Sequence, residues 1–159
     1  MPTFCRRSDE PDPDRPSTPR PVDSADAALG AILSAAHQPA RPQVIVLLLT
    51  PELLDPSVVV VDGTTSPDAV VEVMELVAEA AAEAGREHAI VIASVRPGDG
   101  PLPGDVDRWI ELSDLADTFG CELLEWFVIS DQVAWCPRDL LVEPPRWPAP
   151  TGSPSDSAS

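Results

Sequence analysis

The sequence predicts an α/β (α+β) domain in which a mixed β-sheet is flanked by helices. Three observations carry that expectation. Apolar runs of strand length recur at 44–49, 90–95 and 121–129, without helical spacing, and read as strands buried on both faces. Two longer stretches, 66–84 and 105–119, have apolar residues at three- and four-residue spacing and end at Gly85 and Gly120, as amphipathic helices do. The run at 43–49 and a shorter one at 58–61 lie about seven residues apart, too few for a parallel crossover, so they are expected to pair antiparallel.

Taken in order, residues 1–22 are rich in proline and charge and bury too little apolar surface to offset ordering, so a disordered acidic tail is expected. Asp23 and Ser24 cap a short helix over 25–36, with Leu29, Ile32 and Leu33 as its apolar face. Strand runs at 43–49 and 58–61 follow, joined by a turn at 54–57. Ser66 as cap and Pro67 at the first helical position open the next helix, with Val70, Val73, Met74 and Val77 inward and Glu72, Glu75, Glu79 and Glu83 on a solvated face. The third strand, 88–95, runs into a loop carrying Pro97, Pro101 and Pro103. The helix 105–119 then turns Ile110, Leu112, Leu115 and Ala116 inward. Strand 121–129 and a short strand 133–136 form a hairpin, in which alternation sets Leu124 and Trp126 on one face and Glu125 and Phe127 on the other. The domain is expected to span 23–143, followed by a second disordered tail, 144–159.

Composition narrows the function. The net charge is -17, and all ten basic residues are arginine. Without lysine there is no Schiff-base nucleophile and no P-loop lysine. So negative a chain repels phosphate backbones, and no nucleic-acid partner is expected. Cys5, Cys121 and Cys136 are odd in number and unevenly spaced, which suits reduced thiols and a cytoplasmic location. No apolar run approaches a membrane span, so no membrane association is expected.

The stretch Ser94-Val-Arg96-Pro97-Gly-Asp99-Gly-Pro101-Leu-Pro103-Gly-Asp105-Val-Asp107, with Leu123-Leu-Glu125-Trp126-Phe-Val-Ile129 downstream, resembles the RadC-like branch of the JAB/JAMM (MPN) zinc metallopeptidases. In that family a strand ends in His-x-His-Pro and continues through a Pro-rich loop to an aspartate. Gly63-Thr64 and Pro67 upstream resemble the same family, and the likeness covers about 43–141. It implies the JAB/MPN, cytidine-deaminase-like architecture and a zinc held by two histidines and an aspartate, with a glutamate as general base. Here the histidine positions are Ser94 and Arg96, only Asp107 matches a ligand, and the glutamate position falls near Val58. Three protein ligands are needed to keep a catalytic zinc, and one aspartate is not enough. A guanidinium about 4 Å from a unit charge of like sign is opposed by about 4 kcal/mol at an effective dielectric of about 20, and by twice that for a dication.

The resemblance therefore implies a catalytically inactive relative with no zinc and no other cofactor. Its vestigial zinc-site positions are Ser94, Arg96 and Asp107, and Arg96 is expected to pair with Asp107 or Asp99. Asp99, Asp105, Glu125 and Trp126 are candidate linings of the former groove, and the expected partner is a protein. The competing expectation is a metal-independent hydrolase using Asp99, Asp105 or Asp107. A relocated metal site from His37, His88, Cys121 and Cys136 lacks ligand spacing. Ser94 and His88 stand about 20 Å apart along one strand, too far for a nucleophile and its base.

Overall fold

A computed structural model describes residues 22–50, 56–85, 88–131 and 133–147. Its elements are α1 (Ala25–Ala35), β1 (Gln43–Leu49), β2 (Ser57–Asp62), α2 (Ala69–Glu83), β3 (Ala89–Val95), α3 (Asp105–Phe119), β4 (Glu122–Ser130) and β5 (Val133–Trp135), and a 3-10 turn at Pro137–Leu141 follows. One five-stranded sheet has the order β2-β1-β3-β4-β5. β1 pairs antiparallel with both β2 and β3, β3 pairs parallel with β4, and β4 closes antiparallel on β5. The sheet is mixed and carries helices on both faces, as the sequence predicts. No helix among the described residues is long and apolar enough to cross a membrane.

The period-2 strands split the core in two. Val44, Val46, Ile90, Ile92, Trp126 and Val128 face α2 and α3. Ile45, Leu47, Leu49, Val91, Ala93 and Phe127 face α1, which contributes Ala28 and Ile32. Ser24 caps α1, its Oγ accepting from the Ala27 N–H at 3.2 Å. Leu33, expected inward, is exposed, because α1 meets the sheet through Ala28 and Ile32, one step round the helix.

Three other details depart from expectation. α2 begins at Ala69, and Ser66 Oγ accepts from the Asp68 N–H in the turn before it, so Pro67 stands ahead of the helix. In α3 the buried apolar side chains are Trp109, Leu112 and Ala116, while Ile110 is 47% exposed. Leu112 and Ala116 face inward as expected, and Trp109 takes the inward place at the start of the stripe that was expected of Ile110.

A bulge in β4 is the third departure. Leu123 stands opposite Ile90 but Glu125 opposite Val91, so Leu124 is the extra residue. The alternation expected of Leu124 and Trp126 is broken there. Leu124 packs on the α1 side and Trp126 on the α2/α3 side.

The packed unit is also wider than 23–143. Val22 is buried in the α1-side core, which Trp147 joins from the other end. Arg146 lies 4.5 Å over the Trp109 ring and donates to the Leu123 carbonyl. Of the tails expected over 1–22 and 144–159, residues 1–21 and 148–159 lie outside the described residues, as do the turn residues Leu54 and Asp55.

Candidate functional site

The C-terminal end of β3 meets the N-termini of α2 and α3, and two Pro-Gly turns bring the chain there. In the first, Arg96-Pro97-Gly98-Asp99, the Asp99 N–H donates to the Arg96 carbonyl at 3.1 Å and Gly98 has φ 81. The second, Leu102-Pro103-Gly104-Asp105, repeats the pattern, with Gly104 at φ 88. Proline at the second place and a positive-φ glycine at the third is what a type II turn requires. The Gly98 N–H donates to the Asp131 carboxylate at 3.1 Å, pinning the loop to the β4–β5 turn.

Those turns deliver Asp105 to Arg96. The guanidinium donates twice, from Nη1 to Oδ2 at 3.0 Å and from Nη2 to Oδ1 at 2.8 Å. Asp105 also accepts from the Leu102 N–H at 2.9 Å and from Arg108 Nη1 at 2.9 Å. With Arg96 9% and Asp105 2% exposed, this is a buried bidentate pair. Burial alone would raise the Asp105 carboxyl; the hydrogen bonds from Arg96 and Leu102, the Arg96 charge and Arg108 outweigh it and hold it below the ordinary carboxylate value. Arg108 reaches on from Nε to Asp68 at 2.8 Å, tying the start of α3 to the start of α2.

The vestigial positions come apart around this pair. Ser94 Oγ accepts from the Trp126 indole N–H at 3.0 Å. Arg96 lies 5.7 Å from the Trp126 ring centroid, within cation-π range. Asp107 is exposed on α3 and takes no part. Arg96 thus pairs with Asp105, where Asp107 or Asp99 was expected. The reason is geometric: the second Pro-Gly turn folds the first residue of α3 back toward β3, whereas Asp107 sits two positions further round the helix.

The candidate groove residues do not form one groove. Trp126 is 0% exposed and belongs to the core. Glu125, 1% exposed, lies on the α1 side of the sheet, where Arg138 Nη2 donates to it at 2.9 Å and Nε at 3.1 Å. Its neighbour Cys136 has a thiol pushed up to about 12, by burial first and by the Glu125 and Asp139 charges next. Of the four, Asp99 stays exposed, at the mouth of a small cavity shared with Gln43, Thr64, Ser94 and Arg96. Sequence reasoning missed Arg108, Gln43 and Thr64. The i, i+3 spacing of Asp105 and Arg108 was the available signal for the first.

A zinc ion does not fit these residues. Ser94 offers an oxygen already engaged by an indole N–H, Arg96 offers a cation, and Asp107 faces solvent. Among the described residues no group of three or more His, Cys, Asp or Glu side chains is placed to hold a metal. His37 instead lies 3.3 Å from Asp62, and the Cys121 thiol lies against the Ala78 carbonyl.

On the α1 side, a groove of about 790 Å³ runs between the end of α1 and the β4–β5 hairpin, lined by Leu29, Leu33, Ala36, Val95, Ile129 and Ala134 among others. No family model, no curated protein and no solved structure matches the chain.

Proposed function

We propose that this chain is a catalytically inactive relative of the RadC-like JAB/MPN domains, acting in the cytoplasm as a protein-interaction or regulatory module. The single observation that carries the reading is the Arg96–Asp105 pair, a fixed cation and its buried counter-charge, with Arg96 at one of the two positions where the resemblance implies a histidine ligand. The sheet order and the antiparallel β1 are compatible with the cytidine-deaminase-like architecture. An interaction role is supported by the apolar groove beside α1 and by a charge of -17, which disfavours phosphate-backbone partners.

Of the three carboxylates that the hydrolase alternative could use, the geometry favours Asp99, which stays exposed at the mouth of the small cavity. A general acid or base needs a carboxyl free to exchange a proton with substrate. Asp105 accepts four hydrogen bonds, and Asp107 lies on an exposed helix face outside the cavity lining.

Metal analysis of the full chain, purified without chelators, tests the reading, together with an isopeptidase assay. The expected result is zinc far below stoichiometric and no cleavage. Stoichiometric zinc, or cleavage abolished by Asp107→Ala, would overturn it.

A further inference from the structure

The sheet ends in two unlike edges. β5 is three residues long and runs at once into Pro137 and the 3-10 turn. β2, Ser57–Asp62, is six residues long, pairs with β1 in one unbroken register, and among the described residues has a strand on one side only. Natural sheets blunt such an edge with lysine, an inner proline, a bulge or extreme brevity. β2 has none of these along Val58-Val59-Val60-Val61, and Val58 is 45% exposed. Asp62 carries the one charge of the strand, and Arg41 holds its carboxylate with two hydrogen bonds of 3.2 Å.

The ladder shows which groups the edge offers. The Gly63 N–H donates to the Pro42 carbonyl at 3.0 Å, so Pro42 and Gly63 stand as a hydrogen-bonded pair just past the end of β2. Every second pair from there, Val44 with Val61 and Val46 with Val59, is turned toward β1 in the same way. The N–H and C=O groups of Val58, Val60 and Asp62 therefore point away from the sheet. Water satisfies such groups in a free chain, and a further strand would take its place.

Those three residues are symmetric about Val60, and the symmetry selects the occupant. In a second copy set antiparallel, with a two-fold axis at Val60, Val60 meets its own counterpart and Val58 meets Asp62 of the second copy. All three outward residues then exchange both backbone hydrogen bonds, and Val59 packs beside Val61 between them. Centring the axis on Val59 instead sets Asp62 against Pro56, which has no N–H to give. Charge agrees with the first register. The two Asp62 carboxylates lie about 14 Å apart along the paired strands, beyond the Debye length of about 10 Å at 0.1 M salt. A foreign strand could use the same backbone groups, but nothing on the edge selects its sequence. A copy of β2 matches it in register, side chains and charge.

We propose that the free edge of β2 pairs with β2 of a second copy of this chain, antiparallel about a two-fold axis at Val60, joining two five-stranded sheets into one. The inference goes beyond the interaction reading above by naming a partner and a surface. It stands on the sheet edge alone, so zinc content and isopeptidase activity do not bear on it. The pairing covers one short strand, and the association is accordingly weak and reversible.

The test makes two measurements on the full chain. In sedimentation equilibrium between about 10 µM and about 1 mM, the mass should climb from 16.9 kDa toward twice that value. The climb should come at lower concentration in about 0.5 M than in about 0.05 M sodium chloride, because salt screens the repulsion between two chains of charge -17. In amide hydrogen exchange, Val59 and Val61 should be slow at every concentration. Val58, Val60 and Asp62 should be fast in dilute solution and at least about tenfold slower in concentrated solution. Val60→Pro removes an N–H directed away from the sheet, so it should keep the fold and hold the mass at 16.9 kDa. Val58→Glu sets a carboxylate beside Asp62 of the second copy and should raise the dissociation constant at least about tenfold. That position is exposed, so the variant keeps the test open if the proline variant does not fold. A mass fixed at 16.9 kDa, a dimer in which those three amides stay fast, or variants that dimerise as well as the natural chain would each overturn the proposal. So would a monomeric chain whose three amides slow only when a valine-rich peptide is added, since the edge would then belong to a foreign strand.

Discussion

Asp105 takes hydrogen bonds from two guanidinium groups and a backbone N–H, so its charge cannot be removed without stranding Arg96 in the core. Asp105→Asn is expected to destabilise the fold by about 3–5 kcal/mol, the usual cost of one half of a buried pair, measured by urea unfolding. The pH dependence follows in sign. Because the folded-state pKa lies below the unfolded value, the pair stabilises fully above about pH 4, and this contribution is lost as pH falls through the folded value. The asparagine variant should therefore lose the part of the acid unfolding profile that lies below pH 4. Cys136 supplies a second prediction at this scale. With its thiol held at about 12, it stays protonated at neutral pH and should react with a disulfide reagent far more slowly than a free cysteine. In a Cys5→Ser variant, both Cys121 and Cys136 should stay silent until denaturant is added, and fast native labelling would contradict this. The identity of Arg96 as the cation of the site was legible from its place in the loop. Its partner was not, because three aspartates stand within reach and only the backbone path of the second Pro-Gly turn selects Asp105.

That path makes Gly104 the position at which local sequence decides an element. Its φ of 88 is costly for any residue with a side chain, and an added Cβ would stand 3.4 Å from the Arg108 guanidinium that bridges Asp105 and Asp68. Gly104→Ala should cost about 1–2 kcal/mol, the usual penalty of a left-handed L-residue, with thermal unfolding as the measure. Gly100→Ala, where nothing lies within 4 Å and φ is not positive, should stay within about 0.5 kcal/mol. The ends of elements were legible because proline and glycine mark them: α3 spans the predicted 105–119 and closes on Gly120 at φ 73. The facing of elements was less so. A bulge adds one residue with no signature in composition, and Leu124 alone sends the first part of β4 out of phase with the rest. In α3, Ile110 and Trp109 are both apolar neighbours, and the larger ring wins the interior.

Across the whole molecule the same chemistry sets a balance between burial and repulsion. Arginine-carboxylate pairs hold both sheet faces, Arg96–Asp105 on one and Arg138–Glu125 on the other, and both are out of reach of salt. The segment from 144 had the composition of a tail, yet Arg146 stacks on Trp109 and bonds Glu143, which in turn accepts from the Trp109 indole N–H. Prolines and polar residues hid those contacts, because each depends on a distant helix. Acidic residues are in large surplus: a net -17 on 159 residues repels itself in the folded state more than in an expanded one. Added sodium chloride has two opposed effects. It weakens exposed pairs such as Arg41–Asp62, worth at most about 1 kcal/mol each, and it screens the general repulsion, since the Debye length falls to about 10 Å at 0.1 M. Acidic residues outnumber basic ones 27 to 10, so screening of repulsion should win. The melting temperature is expected to rise between low salt and about 0.5 M, by about 2–4 °C for each kcal/mol of repulsion relieved. A fall instead would mean that the exposed pairs, and not the surplus of carboxylates, set the electrostatic stability of the fold.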